Sequence, residues 1–164
     1  MTEKLSMHID AYEKNWIRAS IVLLIVFVIA ISVAGFSFGI QVPTVEQRVD
    51  PNTIATDPNS PWSEPGLREL SPGEYEAYIL AQTWQFLPNK MTVPVGSKVT
   101  FYITSKDVQH GFKLQDTNLN VQVVPGQVSK LAVTFDEPGD YFYICTEYCG
   151  AAHAVMFGTL HVEP

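Results

Sequence analysis

The sequence predicts an all-β sandwich tied to a membrane by one amino-terminal helix. Three observations carry that prediction: a charge-free apolar run near the amino end, a proline-rich stretch behind it, and a long region of short alternating segments separated by turn residues.

The apolar run spans Ala19 to Ile40, 22 residues without Asp, Glu, Lys, Arg or His. Charged residues are 16% of the 164-residue chain, against about 25% in ordinary soluble proteins, and this run concentrates the deficit. A helix rising about 1.5 Å per residue carries such a run across a hydrocarbon core about 30 Å thick. Secretory leaders have shorter apolar cores and a small-residue cleavage site. Ser32-Val33-Ala34-Gly35 is a weak match to such a site, and a retained anchor is the expected outcome. Lys4, Lys14 and Arg18 precede the helix, while only Arg48 lies in the first stretch after it. That asymmetry places the amino end in the cytoplasm and residues 41–164 outside. Residues 1–18 read as an amphipathic lead-in, and residues 1–40 as one amino-terminal segment with its helix.

Residues 41–73 hold Pro43, Pro51, Pro58, Pro61, Pro65 and Pro72 among Asp, Asn, Ser and Glu. Such material excludes a regular helix or a central strand, and it is expected to lie on a surface as an extended spacer. The domain proper is expected over 74–164. Candidate strands are Glu74–Ala81, Val99–Thr104, Leu119–Val123, Val128–Phe135, Tyr141–Cys145 and Met156–Val162. In the second, Val99, Phe101 and Ile103 share one face; in the fourth, Leu131, Val133 and Phe135 are in phase. Pro94-Val95-Gly96, Pro125-Gly126 and Glu137-Pro138-Gly139 supply turns. Spacing of this kind predicts an antiparallel sandwich of roughly seven or eight strands.

The region after the helix carries seven Lys and Arg against fourteen Asp and Glu, so the formal charge of −7 resides there. An acidic domain of this kind argues against nucleic acid and favours a basic docking partner.

Chemistry concentrates in Cys145-Thr146-Glu147-Tyr148-Cys149-Gly150-Ala151-Ala152-His153-Ala154-Val155-Met156, between the last two strands. Two thiols, an imidazole and a thioether fall within twelve residues, and His110 in Asp107-Val108-Gln109-His110-Gly111-Phe112 offers a second imidazole. Soft donors of these types select copper over a hard cation. One blue copper uses a single Cys, two His and a weak axial Met; a second Cys is one too many. Two thiolates can instead bridge two coppers, each then needing one His and one weak ligand. A disulfide between Cys145 and Cys149 and a Cys₂His₂ zinc site are the competing readings of the same residues. Met156 as plain core and His110 as an ordinary strand-end histidine compete as well.

The run C-x-E-x-C-G-x-x-H-x-x-M, preceded by D-V-x-H-G-F, resembles subunit II of the haem-copper cytochrome c oxidases, and the likeness extends over the helix, the spacer and the β-region. The resemblance implies a cupredoxin-like Greek-key β-sandwich carrying a binuclear CuA centre. In it Cys145 and Cys149 bridge two coppers, His110 and Met156 complete one, and His153 and the backbone carbonyl of Glu147 complete the other. The single helix and the Ala11-Tyr12-Glu13-Lys14-Asn15-Trp16 start are most similar to the B-type oxidases. The family takes electrons from cytochrome c and passes them to the haems of subunit I for oxygen reduction and proton pumping, in the plasma membrane of a prokaryote. It further implies electron acceptance at Trp84 or Phe86, with a core role competing for both. A proton entrance at Glu13 is implied as well, against a plain helix-start carboxylate. A glutamate at 147 implies magnesium at the subunit I interface in mitochondrial-type relatives; B-type members tend to carry an amide there, so this chain departs from them. His8 and His161 are given no role and are expected to be solvated.

Functions of other classes use the same inventory. A tethered copper carrier would lack a haem partner, and a nitrous oxide reductase would place this domain behind a large companion. Quinol-oxidising relatives lack the copper ligands present here.

Overall fold

A computed structural model describes residues 10–40 and 44–164. Its contacts divide the chain into Met1–Ile40 and Gln41–Pro164. In the first unit, helix α1 covers Ala11–Ser37. Asp10 caps it, its Oδ1 accepting from the Glu13 amide at 2.8 Å. This cap starts the helix well before the charge-free run, so residues 11–18 are its first turns rather than a separate lead-in. Apolar side chains are exposed on every face from Ile21 to Phe36, as suits a helix whose surroundings are apolar rather than aqueous. Ser32 satisfies its hydroxyl on the Val28 carbonyl at 2.7 Å, and the Ser32–Gly35 run lies inside the helix.

The second unit is two stacked sheets. One comprises β1 (Thr44–Arg48), β2 (Gly66–Ser71), β3 (Glu74–Gln82), β4 (Gln85–Leu87), β6 (Lys98–Ser105) and β9 (Gln127–Thr134), in the order β1-β9-β6-β3-β2, with β4 paired to β3. The other comprises β5 (Lys90–Pro94), β7 (His110–Leu114), β8 (Asn120–Val123), β10 (Gly139–Ile144) and β11 (Phe157–Glu163), in the order β5-β11-β10-β7-β8. The chain passes from one sheet to the other after β4, β5, β6, β8 and β9, which makes the Greek-key, cupredoxin-like sandwich. Those crossings also correct the antiparallel expectation. Strands β3 and β6 run parallel, as do β5 and β11, because the intervening chain visits the opposite sheet before returning.

Alternation places the core. Val99, Phe101 and Ile103 of β6 are fully buried, and each such side chain contributes roughly 1.5–3 kcal/mol on leaving water. Phe86, Phe112 and Tyr143 stack between the sheets, with Phe86 edge-on to Phe112 at 5.3 Å and Tyr143 face-on to Phe112 at 5.2 Å. Cys145, Cys149 and Met156 belong to this same buried cluster.

Residues 41–73 are more than a spacer. Strands β1 and β2 form the two ends of the first sheet, the edge positions that proline-rich sequence tolerates. Between them Ile54 and Trp62 are buried against Leu80 and Val128, and the Trp62 indole donates to the Tyr102 carbonyl at 3.3 Å. Proline keeps regular α-helix out of this stretch, allows a short 3₁₀ turn at Pro61–Ser63 that carries Trp62, and leaves two apolar side chains to cover the outer face of the sheet.

Candidate metal centre

The ligand loop runs from the end of β10, through a 3₁₀ turn at His153–Val155, to the start of β11. Pairing between Ile144 and Phe157 closes its base, and the Cys145 amide donates to the Met156 carbonyl at 3.1 Å. Twelve residues are thereby held as a loop with fixed ends. His110 opens β7, next to β10 in the same sheet, and is fully buried.

These elements bring the donors together. The Cys145 and Cys149 sulfurs are 3.8 Å apart, both thiols free and buried. A disulfide needs about 2.05 Å, so the pair is unbonded. Nδ1 of His110 lies 3.8 Å from Cys145 Sγ, and the Glu147 carbonyl oxygen lies 3.2 Å from it. On the other side, Nδ1 of His153 is 3.6 Å and Met156 Sδ 3.7 Å from Cys149 Sγ. Ligand atoms of His110, Cys145 and Cys149 all fall within 4.8 Å of one another. Zinc would use four of these donors and leave the thioether and carbonyl unused; six donors in all, two of them sulfurs of cysteine, exceed one tetrahedral ion.

Burial, then the neighbouring Cys145 thiol, push the Cys149 thiol up to about 11. A metal ion between the sulfurs reverses that preference for the proton. Asp107 moves the other way. Its partial burial opposes ionisation, but hydrogen bonds from His110, from the Thr83 and Val108 amides and from the Thr83 hydroxyl bring it down to about 2. Its carboxylate accepts from His110 Nε2 at 2.9 Å. A carboxylate is an acceptor only, so Nε2 carries the proton and Nδ1 keeps its lone pair toward the thiols.

Two glycines make room. A Cβ on Gly111 would lie 2.9 Å from the Glu147 nitrogen, and one on Gly150 would lie 2.7 Å from Trp84 Nε1. Trp84 sits in the turn between β3 and β4, 43% exposed, and donates to the Cys149 carbonyl at 3.1 Å. Phe86 is buried in the aromatic stack instead. Glu147 is half-buried. Glu13 belongs to the other unit, exposed in the first turn of α1. His161 is exposed, its Nδ1 2.6 Å from Asp140 Oδ1; His8 lies outside the described residues. Sequence reasoning passed over Asp107, Thr83 and Gly150. Asp107 was visible as a carboxylate three residues before His110, and Gly150 as the glycine of the quoted C-G-x-x-H run, without its contact to Trp84; for Thr83 no local signal exists.

A mixed β-sandwich with a buried soft-donor cluster in the loop between its last two strands is the architecture of a cupredoxin-like metal domain. Residues 74–162 match the family described as cytochrome c oxidase subunit II, periplasmic domain. Cytochrome c oxidase subunit 2 of Thermus thermophilus is 41% identical over 157 residues, covering 93% of this chain and 92% of that one. A second Thermus thermophilus cytochrome c oxidase subunit 2 is 44% identical over 119 residues, 71% of this chain and 87% of that one. Among solved structures, a chain from the cryo-EM structure of a heme-copper terminal oxidase dimer superposes with a TM-score of 0.75 at 34% identity, covering 93% of this chain and 99% of that chain. The chain belongs to the cytochrome c oxidase subunit II family, the second subunit of haem-copper terminal oxidases.

Proposed function

We propose that His110 and the Cys145–Met156 loop hold a binuclear CuA centre. Through it this subunit takes electrons from cytochrome c, or another small donor, and passes them to the haems of subunit I for oxygen reduction and proton pumping. The observation that carries this reading is the arrangement of four further donors around two unbonded sulfurs 3.8 Å apart. When bound, a thiolate-bridged copper pair supplies a one-electron carrier whose charge is spread over two metals.

The chain's own residues supply the rest. Cys145 and Cys149 would hold both coppers, His110 and Met156 would complete one site, and His153 and the Glu147 carbonyl the other. Burial of both thiols and of Met156 keeps water from the donors, and the closed base of the loop limits movement when charge changes. Trp84, half-exposed and bonded to a bridging cysteine's carbonyl, is the surface point at which the donor delivers its electron. The Glu147 carboxylate is a candidate magnesium ligand facing subunit I, and Glu13 a candidate proton entrance. Lys4, Lys14 and Arg18, all ahead of the charge-free run, support a cytoplasmic amino end in a prokaryotic plasma membrane, with the copper domain on the outer face.

The test is to load the full-length chain with copper in detergent. Two coppers per chain and a paramagnetic spectrum of one electron shared equally between them are expected. One copper per chain, or a single-copper spectrum, overturns the reading.

A further inference from the structure

One carboxylate touches both the buried histidine and the turn that carries the exposed indole. Asp107 Oδ1 accepts from His110 Nε2 at 2.9 Å and from the Val108 amide at 2.7 Å. Its Oδ2 accepts from the Thr83 amide at 2.7 Å and from the Thr83 hydroxyl at 2.8 Å. Thr83 is followed by Trp84, whose Nε1 donates to the Cys149 carbonyl at 3.1 Å. The indole rests on Gly150, where a Cβ would come within 2.7 Å of Nε1. The bonds form a closed circuit: Cys149, Trp84, Thr83, Asp107, His110, and back through the sulfurs.

We infer that Asp107 and Thr83 form a latch that positions His110 and Trp84 together, so that the metal ligand and the electron-accepting indole are held as one piece. Asp107 and Thr83 are positioning residues, acting through the imidazole and the indole. The latch rests on the copper reading for its purpose, but its bonds exist in the copper-free chain and are measurable there. The physical case is that charge-assisted hydrogen bonds are the stronger ones. Oδ2 receives two donors from a single residue, which fixes the direction of the turn as well as its distance. Without the Thr83 donors only Oδ1 is held, by the Val108 amide and the His110 ring, so the carboxylate can pivot about that oxygen and the His110 ring has a less fixed acceptor.

The experiment uses the full-length, copper-free chain in detergent micelles, labelled with nitrogen-15 in Trp and His, as wild type and as Thr83→Val, Thr83→Ser and Asp107→Asn. Thr83→Val keeps the shape and removes one donor; Thr83→Ser keeps the donor. Thr83→Val is expected to speed hydrogen exchange at the Trp84 indole about tenfold, the scale of one charge-assisted hydrogen bond, with the buried Trp62 indole unchanged. It is also expected to shift the His110 ring nitrogens, although its hydroxyl bonds Asp107 and not the ring. Thr83→Ser restores both signals. Unchanged Trp84 exchange in Thr83→Val overturns the latch, as do His110 shifts confined to Asp107→Asn. Should Asp107→Asn fail to fold, the two Thr83 variants decide alone. A wild-type chain that binds no copper pair sinks the metal reading and leaves these signals standing.

Discussion

Alanine at position 111 is expected to displace the ligand loop. A Cβ there would collide with Thr146 Oγ1 and lie 2.9 Å from the Glu147 nitrogen and 3.0 Å from the Thr146 nitrogen. Thr146 is exposed, so its hydroxyl can turn away. The two backbone nitrogens cannot, and must retreat by about half an ångström to reach an ordinary contact. They lie between Cys145 and the Glu147 carbonyl, two of the six donors. Overpacking of this kind costs about 1–3 kcal/mol, which lowers Tm by roughly 4–12 °C in a unit of this size. Gly66→Ala is the control, because a Cβ there meets nothing within 4 Å, and its effect should stay within about 0.5 kcal/mol. Scanning calorimetry of both full-length variants reads stability; the copper absorption bands read the ligand geometry. If Gly111→Ala matches Gly66→Ala in Tm and leaves the bands unmoved, the close approach of loop to β7 is not what positions these ligands.

Trp62→Ala should cost roughly 3–5 kcal/mol in denaturant unfolding, since Trp62 is buried against the outer face of the first sheet; a loss under about 1 kcal/mol would return residues 41–73 to the status of spacer. Burial, followed by the Glu76 carboxylate, raises Tyr78 from 10.0 to about 12. The folded protein therefore holds that proton more tightly than the unfolded chain, and the stability this represents is intact below pH 10 and lost as pH rises through about 12. Tyr78→Phe should flatten that alkaline decline, and an unaltered slope would exclude Tyr78 as its source. Trp84→Phe in the assembled oxidase should slow reduction by the donor severalfold while the copper signal persists, a rate equal to wild type excluding the indole from electron acceptance. Glu13→Gln should slow turnover with copper spectra unchanged; undiminished turnover would leave Glu13 a helix-start carboxylate only.

The local features of the sequence determined a good part of this protein. The charge-free run that begins at Ala19 is helical as far as Ser37, and its length and lack of charge suit a membrane span. The alternation at Val99, Phe101 and Ile103 assigns a strand and its buried face, and all three are fully buried. The soft donors from Cys145 to Met156, with His110, were legible as a metal set because their chemistry is unusual whatever their placement.

What the sequence left open depends on contacts between distant segments. Parallel pairing of β3 with β6 and of β5 with β11 follows from how the chain crosses between sheets, and no period in the sequence encodes a crossing. Strands β1 and β2 were hidden because proline masks β-propensity, and only the uncovered face of the sheet makes burial of Ile54 and Trp62 favourable. That the two cysteines stand unbonded, 3.8 Å apart, was not legible in their spacing, because a four-residue spacing allows either arrangement. Asp107 was visible beside His110 from the start, but its grip on Thr83, 24 residues earlier, exists only because β3 and β6 lie side by side. Tertiary structure decided that link, since a hydrogen bond needs two groups within about 3 Å and only the folded sheet brings these two together.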